Sequence, residues 1–183
     1  MNSALFLLYL LNLAYIGLLP RIFFKRGKFH WLWWLTAAPF FVCAIILTAC
    51  FTGYLTPWPF LSEWLRDCLA VLASASSLCL ISYTLGTHRS RLALWHQKDE
   101  PESLVTYGAY RYIRHPFYTA FLLALLGALL LAPHPGTLGT FLYGFLILNY
   151  TASREERFLS ESTFGEQYHE YRKRTGRSLP WFM

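Results

Sequence analysis

Residues 116–153 read PFYTAFLLALLGALLLAPHPGTLGTFLYGFLILNYTAS, a run without one Asp, Glu, Lys or Arg. One helix needs about 20 apolar residues to cross the ~30 Å hydrocarbon core of a bilayer, so a run about twice that length holds two. The break falls at Ala132-Pro133-His134-Pro135-Gly136. There two prolines remove backbone donors and the glycine permits a tight reversal. Charge-free windows also cover Met1 to Pro20, Trp31 to Ser62 and Leu69 to Thr87, with Gly53 to Pro59 ending the second. Five spans result: Ala4 to Leu19, Trp31 to Thr52, Asp67 to Gly86, Phe117 to Ala132 and Thr137 to Ser153. The predicted fold is all-α, a polytopic membrane protein of about five transmembrane helices forming one domain over residues 1–183, its residues 1–66 an N-terminal transmembrane hairpin.

Composition agrees. The 183 residues are 55% hydrophobic, 19% aromatic and 14% charged, against roughly 45–50% apolar and about 25% charged in a soluble domain. Mean hydropathy is +0.33. Such a chain is neither disordered nor disulfide-stapled. The net charge of +6 would suggest nucleic acid in a soluble protein, but its distribution is topological. Arg21, Lys25, Arg26 and Lys28 follow the first span; Arg89, Arg91, Lys98, Arg111 and Arg114 follow the third; Arg154, Arg157, Arg172, Lys173, Arg174 and Arg177 lie in the tail. Only Arg66 falls on the other side. The positive-inside rule then places the N-terminus outside, the C-terminus in the cytoplasm, and no nucleic-acid partner is expected. Trp31, Trp33 and Trp34 on one face and Trp58 and Trp64 on the other read as interfacial belts. The first span lacks a basic leader and a small-residue cleavage site, so it reads as an uncleaved anchor. Cys43, Cys50, Cys68 and Cys79 form no CxxC pair and read as small apolar residues, with no metal expected.

The spans hold no charge pairs, so a proton relay or charge-coupled transporter has little to work with. Polar density gathers in 87–115 and 154–183, which a tight outer hairpin brings to the same face. The first segment contains Leu104-Val105-Thr106-Tyr107-Gly108-Ala109-Tyr110-Arg111-Tyr112-Ile113-Arg114-His115-Pro116-Phe117-Tyr118. Pro116 suits the first turn of a helix, whose free N–H groups can hold an anion, with Arg114 and His115 just upstream. Alternatively, Arg114 and His115 are interfacial anchors among belt tyrosines. The second segment carries Glu155-Glu156 at the exit of the fifth span. Carboxylates at a helix C-terminus oppose its dipole and call for a compensating base such as Arg114, Arg154 or Arg174. The alternative is that both are simply solvated. Beyond them Phe164, Tyr168 and Tyr171 fall at i, i+4 and i+7 between Gly165 and Gly176, an amphipathic cytoplasmic helix that lies on the membrane or closes over the site.

Together, Leu104-Val105-Thr106, Gly108, Tyr110-Arg111-Tyr112 and Arg114-His115-Pro116-Phe117-Tyr118, followed by Glu155-Glu156, Phe164-Gly165, Tyr168, Tyr171, Arg174, Arg177 and Pro180, closely resemble the isoprenylcysteine carboxyl methyltransferase family. Phospholipid N-methyltransferases share the glutamate pair. The resemblance covers about residues 84–181, which would be the catalytic half. Tyr107-Gly108-Ala109 departs from it, since a hydroxyl residue before the glycine and a proline after it would match better.

The resemblance implies an S-adenosyl-L-methionine-dependent enzyme acting on a lipophilic or prenylated acceptor delivered from the lipid bilayer, with its active site on the cytoplasmic side. The leading acceptor is a carboxylate of the prenylcysteine type. The alternatives are a phospholipid amine, an NADPH-dependent ene or sterol reductase, and a non-catalytic scaffold. Carried over residue by residue, Arg114, Glu156 and Arg174 would be catalytic. Gly108, Tyr112, His115, Pro116, Tyr118, Glu155, Glu156, Tyr168 and Tyr171 would bind the cofactor. His115 would hold the methionyl carboxylate, one glutamate the ribose or amino group, and Arg174 and Arg177 would orient the acceptor or anchor the tail. A carboxylate acceptor needs only an orienting cation, whereas an ammonium acceptor needs a base, for which either glutamate would serve.

Overall fold

The computed structural model describes residues 3–22, 31–59, 61–88 and 104–179. Lys25, Arg26, Lys28, Arg89, Arg91, Lys98 and Pro180, which entered the topology and motif readings, lie outside them. Among the described residues six α-helices follow in order: α1 Ser3–Ile22, α2 Trp31–Phe51, α3 Glu63–Thr87, α4 Pro116–Leu131, α5 Pro135–Glu161 and α6 Gly165–Arg174. A single 3-10 turn, Gly108–Arg111, precedes α4. The fold is all-α. An isolated parallel bridge between Ile113 and Gly176 is the sole β-type pairing among the described residues.

The tightest packing joins α3 to α4, and the reason is side-chain size. Ala70, Ala73, Ser74 and Ser77 on α3 are buried, as are Ala120, Ala124, Gly127 and Ala128 on α4. A Cβ on Gly127 would stand 2.7 Å from Ser74 Oγ. Small residues let helix backbones approach closely where the hydrophobic effect supplies little drive between lipid-solvated helices. Ser77 Oγ donates to Ala120 O at 2.7 Å, and Asn12 Nδ2 of α1 donates to Ser74 O at 3.2 Å. This polar seam ties α1 to the α3–α4 pair. The second helix packs chiefly on α5, where Gly144 leaves room for Leu125 of α4.

Local chemistry explains the α4–α5 reversal. The His134 side chain accepts from Gly136 N at 3.1 Å, while His134 N donates to Thr137 Oγ1 at 3.1 Å. This reciprocal capping box satisfies two donors that a helix start leaves free, and Pro135 at the first helical position loses nothing. The expected hairpin is therefore present. The fifth helix, however, runs to Glu161 and not to Ser153. Glu155 and Glu156 thus sit inside the helix and not at its end, which removes part of the expected dipole penalty.

Large apolar side chains face outward on several helices: Leu7, Leu11, Phe41, Ile45, Leu72 and Leu146 are all more than half exposed. Among the described residues two helices are long and apolar enough to cross a membrane, over Trp34–Phe51 and Glu63–Thr87. Ser3–Leu19 and Pro116–Leu131 are apolar but shorter. An apolar exterior of this extent needs a partner other than water.

Candidate active site

At the end of the bundle where α4 begins, the Arg114-His115 stretch and the tail meet α5 around one carboxylate. The side chain of Glu156 is 4% exposed. Its Oε1 accepts from Arg114 Nε at 3.0 Å, His115 Nε2 at 3.1 Å and Arg177 Nε at 3.2 Å. Its Oε2 accepts from Arg177 Nη2 at 2.7 Å. Arg177 therefore grips it in the two-pronged geometry that makes arginine–carboxylate pairs strong. Burial alone would push the Glu156 carboxyl up, but His115, Arg177 and Arg114 outweigh it and hold the group well below the usual carboxylate range. These contacts favour its anionic form. The same contact raises the Arg177 guanidinium.

His115 lies between the two glutamates. Its Nδ1 approaches Glu155 Oε2 at 3.4 Å while Nε2 meets Glu156. Burial pulls the imidazole down, yet hydrogen bonds and charge from Glu155 and Glu156 lift it above its ordinary value. Carboxylates facing both ring nitrogens favour the imidazolium, which can donate from each. Tyr118 stacks on it with ring centroids 5.3 Å apart and donates its hydroxyl to Glu155 Oε1 at 2.7 Å.

The tail closes the site by backbone pairing. Arg114 N donates to Gly176 O at 2.9 Å and His115 N to Arg177 O at 3.1 Å. Thr119 Oγ1 reaches Ser178 O at 2.9 Å. The Arg114 Nη1 also donates to the carbonyls of Thr175 and Arg172, so this guanidinium caps the C-terminus of α6 while holding α5. Tyr171 Oη donates to Tyr110 O at 2.7 Å; burial pushes that phenol up to about 12, so it remains a donor. Tyr110 in turn meets His88 Nε2 at 3.0 Å, and burial with the charge of Glu155 raises its phenol as well.

A cavity of about 280 Å³ opens beside this cluster, lined by Arg114, Phe145, Asn149, Arg172, Arg177, Ser178 and Leu179. Its wall combines three guanidiniums with apolar carbon and no carboxylate. Close by, Tyr168 is 1% exposed, and its hydroxyl is the one buried side-chain polar atom without a hydrogen-bond partner among the described residues. Burial and the charge of Glu156 push that phenol up. A buried hydroxyl left unpaired costs about 1–3 kcal/mol.

The structure gathers Arg114, His115, Pro116, Tyr118, Glu155, Glu156, Tyr168 and Tyr171 at this end of the bundle. Three expected residues are placed differently. Arg174 is exposed at the end of α6, and Arg177 is the arginine that meets Glu156. Tyr112 is 53% exposed beneath Arg111, whose guanidinium stands 6.0 Å from its ring. Gly108 has a positive φ of 61°, and a Cβ there would stand 2.3 Å from Thr87 Oγ1, so it shapes the turn against α3. Solvation of both glutamates is excluded by the burial of Glu156. Sequence reasoning missed Thr87, Asn149, Arg172 and Ser178. Asn149 carried a signal, being a carboxamide that follows the apolar run Phe145-Leu146-Ile147-Leu148 of α5.

These features define an α-helical integral membrane protein with its charged chemistry collected at one end of the bundle. The chain belongs to the isoprenylcysteine carboxyl methyltransferase family, whose model matches residues 68–161. A protein of Oryza sativa subsp. indica described as a probable protein-S-isoprenylcysteine O-methyltransferase is 31% identical over 97 residues, 52% of this chain and 48% of that one. The protein-S-isoprenylcysteine O-methyltransferase of Schizosaccharomyces pombe is 32% identical over 87 residues, 46% of this chain and 36% of that one. Protein-S-isoprenylcysteine O-methyltransferase A of Arabidopsis thaliana is 33% identical over 86 residues, 45% of this chain and 42% of that one. The chain thus spans about half the length, or less, of these curated relatives.

Proposed function

We propose that the chain is an S-adenosylmethionine-dependent methyltransferase whose acceptor is the carboxylate of a lipophilic, prenylcysteine-type molecule. Family membership supports the reaction class, and the observation that carries the acceptor is the state of Glu156. Methylation of an ammonium needs a base; Glu156, held by three donors, is a poor one, and Glu155 is not on the wall of the arginine-lined cavity. Three guanidiniums on the cavity wall would also repel an ammonium and attract a carboxylate. Phe145 and Leu179 on the same wall suit the adjoining lipid chain.

The residues present fit the methyl donor. The cofactor supplies an activated methyl group on a sulfonium. Tyr168 offers its unpaired hydroxyl, and His115 and Tyr118 offer a flat stacked surface. Arg114, Arg172 and Arg177 provide donors for carboxylates. Methyl transfer then needs alignment and exclusion of water more than proton chemistry, and good alignment alone is worth effective molarities of about 10⁵ M or more. The tail, laid across the α4 N-terminus through Gly176 and Arg177, covers the site.

The same reading assigns five spans, with the N-terminus outside and the site and C-terminus in the cytoplasm, from the basic residues that flank the helices on one side. Residues 84–181 form the catalytic half of one domain. The test is transfer of labelled methyl from S-adenosylmethionine by detergent-purified protein to a panel of an N-acyl S-prenylcysteine, a phospholipid amine and a long-chain fatty acid, with products identified by mass. The expected product is the prenylcysteine methyl ester; methylation of the amine alone overturns the assignment.

A further inference from the structure

Adjacent residues on a helix point about 100° apart, so Glu155 and Glu156 face different surroundings. The difference is one of access. A carboxylate has about four acceptor positions, two on each oxygen. Glu156 receives four N–H bonds, three on Oε1 from Arg114 Nε, His115 Nε2 and Arg177 Nε and one on Oε2 from Arg177 Nη2, and its side chain is 4% exposed. Burial leaves the rest of Oε2 little access to a ligand. The Glu155 side chain is 24% exposed and receives only the Tyr118 hydroxyl and the longer contact from His115 Nδ1. It has room for a ligand.

We infer that the two glutamates divide the site: Glu156 is a positioning residue that touches no ligand and holds Arg114 and Arg177 for the acceptor carboxylate, while Glu155 receives the cationic end of the methyl donor. The inference rests on the methyltransferase reading. A guanidinium has five N–H donors. Arg114 spends its Nε on Glu156 and its Nη1 on Thr175 O and Arg172 O, leaving Nη2. Arg177 spends Nε and Nη2 on Glu156 and Nη1 on Ser153 Oγ at 3.2 Å, leaving one proton on each terminal nitrogen. Both line the cavity. Two arginines side by side would repel each other and splay apart; the buried carboxylate between them neutralises that repulsion and aims what remains. Across the His115 ring, Glu155 with Tyr118 is the acidic counterpart, suited to the ammonium and sulfonium that the cationic cavity excludes.

The test uses the full chain in detergent, with donor Kd measured by calorimetry using S-adenosylmethionine and acceptor KM with an N-acyl S-prenylcysteine. Glu155→Gln should weaken donor binding about tenfold and leave acceptor KM within about twofold. Glu156→Gln and Arg177→Gln should each raise acceptor KM about tenfold with donor Kd little changed, and the double variant should be no worse than either, because one acts through the other. Multiplication of the two effects to about a hundredfold, or a loss of donor binding in Glu156→Gln equal to that in Glu155→Gln, overturns the division. If Glu156→Gln does not survive purification, Arg177→Gln against Glu155→Gln decides: effects on different constants support it, effects on the same constant overturn it. A parent chain that binds no S-adenosylmethionine overturns the methyltransferase reading itself, a failure distinct from these.

Discussion

Gly108→Ala tests whether the turn before α4 is built as described. Gly108 has φ 61°, and an added Cβ would lie 2.3, 2.5 and 2.9 Å from Oγ1, Cγ2 and Cβ of Thr87. Two costs follow. A side chain in the left-handed region loses about 1–2 kcal/mol. Forcing a methyl into packed space costs about 1–3 kcal/mol more. Thr87 cannot swing away freely, because its hydroxyl donates to Tyr83 O at 2.9 Å and accepts from Ala109 N at 3.3 Å. The sum is about 2–5 kcal/mol, which in a domain of this size lowers Tm by roughly 4–20 °C. Thermal unfolding in detergent, followed by intrinsic fluorescence, reads it. Adding Thr87→Ala removes Oγ1 and Cγ2 and should recover part of the loss, leaving the backbone strain. A Gly108→Ala melt within a degree of the parent, or a double variant no better than the single, would refute the reasoning.

Tyr168→Phe removes the unpaired buried hydroxyl, so the ligand-free chain should melt at the same temperature or slightly higher, while the stabilisation conferred by S-adenosylmethionine shrinks. A clear loss of ligand-free stability would show that the hydroxyl has a structural partner. Gly127→Ala places a Cβ 2.7 Å from Ser74 Oγ and 3.4 Å from the Ala70 carbonyl, and should cost about 1–3 kcal/mol; Ser74→Ala in the same chain should restore most of it in a melt. Stability should also follow pH in a defined way. The Glu156 value is depressed, so its contribution is present above about pH 4.3 and fades as pH falls toward its folded value; the His115 value is raised, so its contribution is full below about pH 6.5 and fades as pH rises through its folded value. Glu155, Glu156 and Tyr118 face that imidazole. Tm should therefore peak between about pH 4.3 and 6.5, and His115→Gln should flatten the alkaline side; an unchanged alkaline slope would mean that His115 does not titrate with folding.

The helices were legible because bilayer thickness and backbone hydrogen bonding leave few options. Charge-free runs and the Pro133–Gly136 break locate α4 and α5, and the cap at His134 adds only local detail. The path of the tail was not legible. Thr175 to Ser178 leave helical geometry and pair with Arg114 and His115, and that long-range pairing brings Arg177 to Glu156 while Arg174 stays outside. No local pattern distinguishes two arginines three residues apart.

By itself the sequence determined the helical, membrane-embedded class, the gathering of polar residues at one end and the family, since these follow from composition, spacing and motif. Tertiary structure decided which glutamate is buried and which is partly exposed, which arginine answers it, and that a phenol on α6 is left unpaired. Those are properties of rotation around α5 and of contacts between residues 20 to 60 positions apart, and a carboxylate's protonation and hydrogen-bond capacity depend on its neighbours in space.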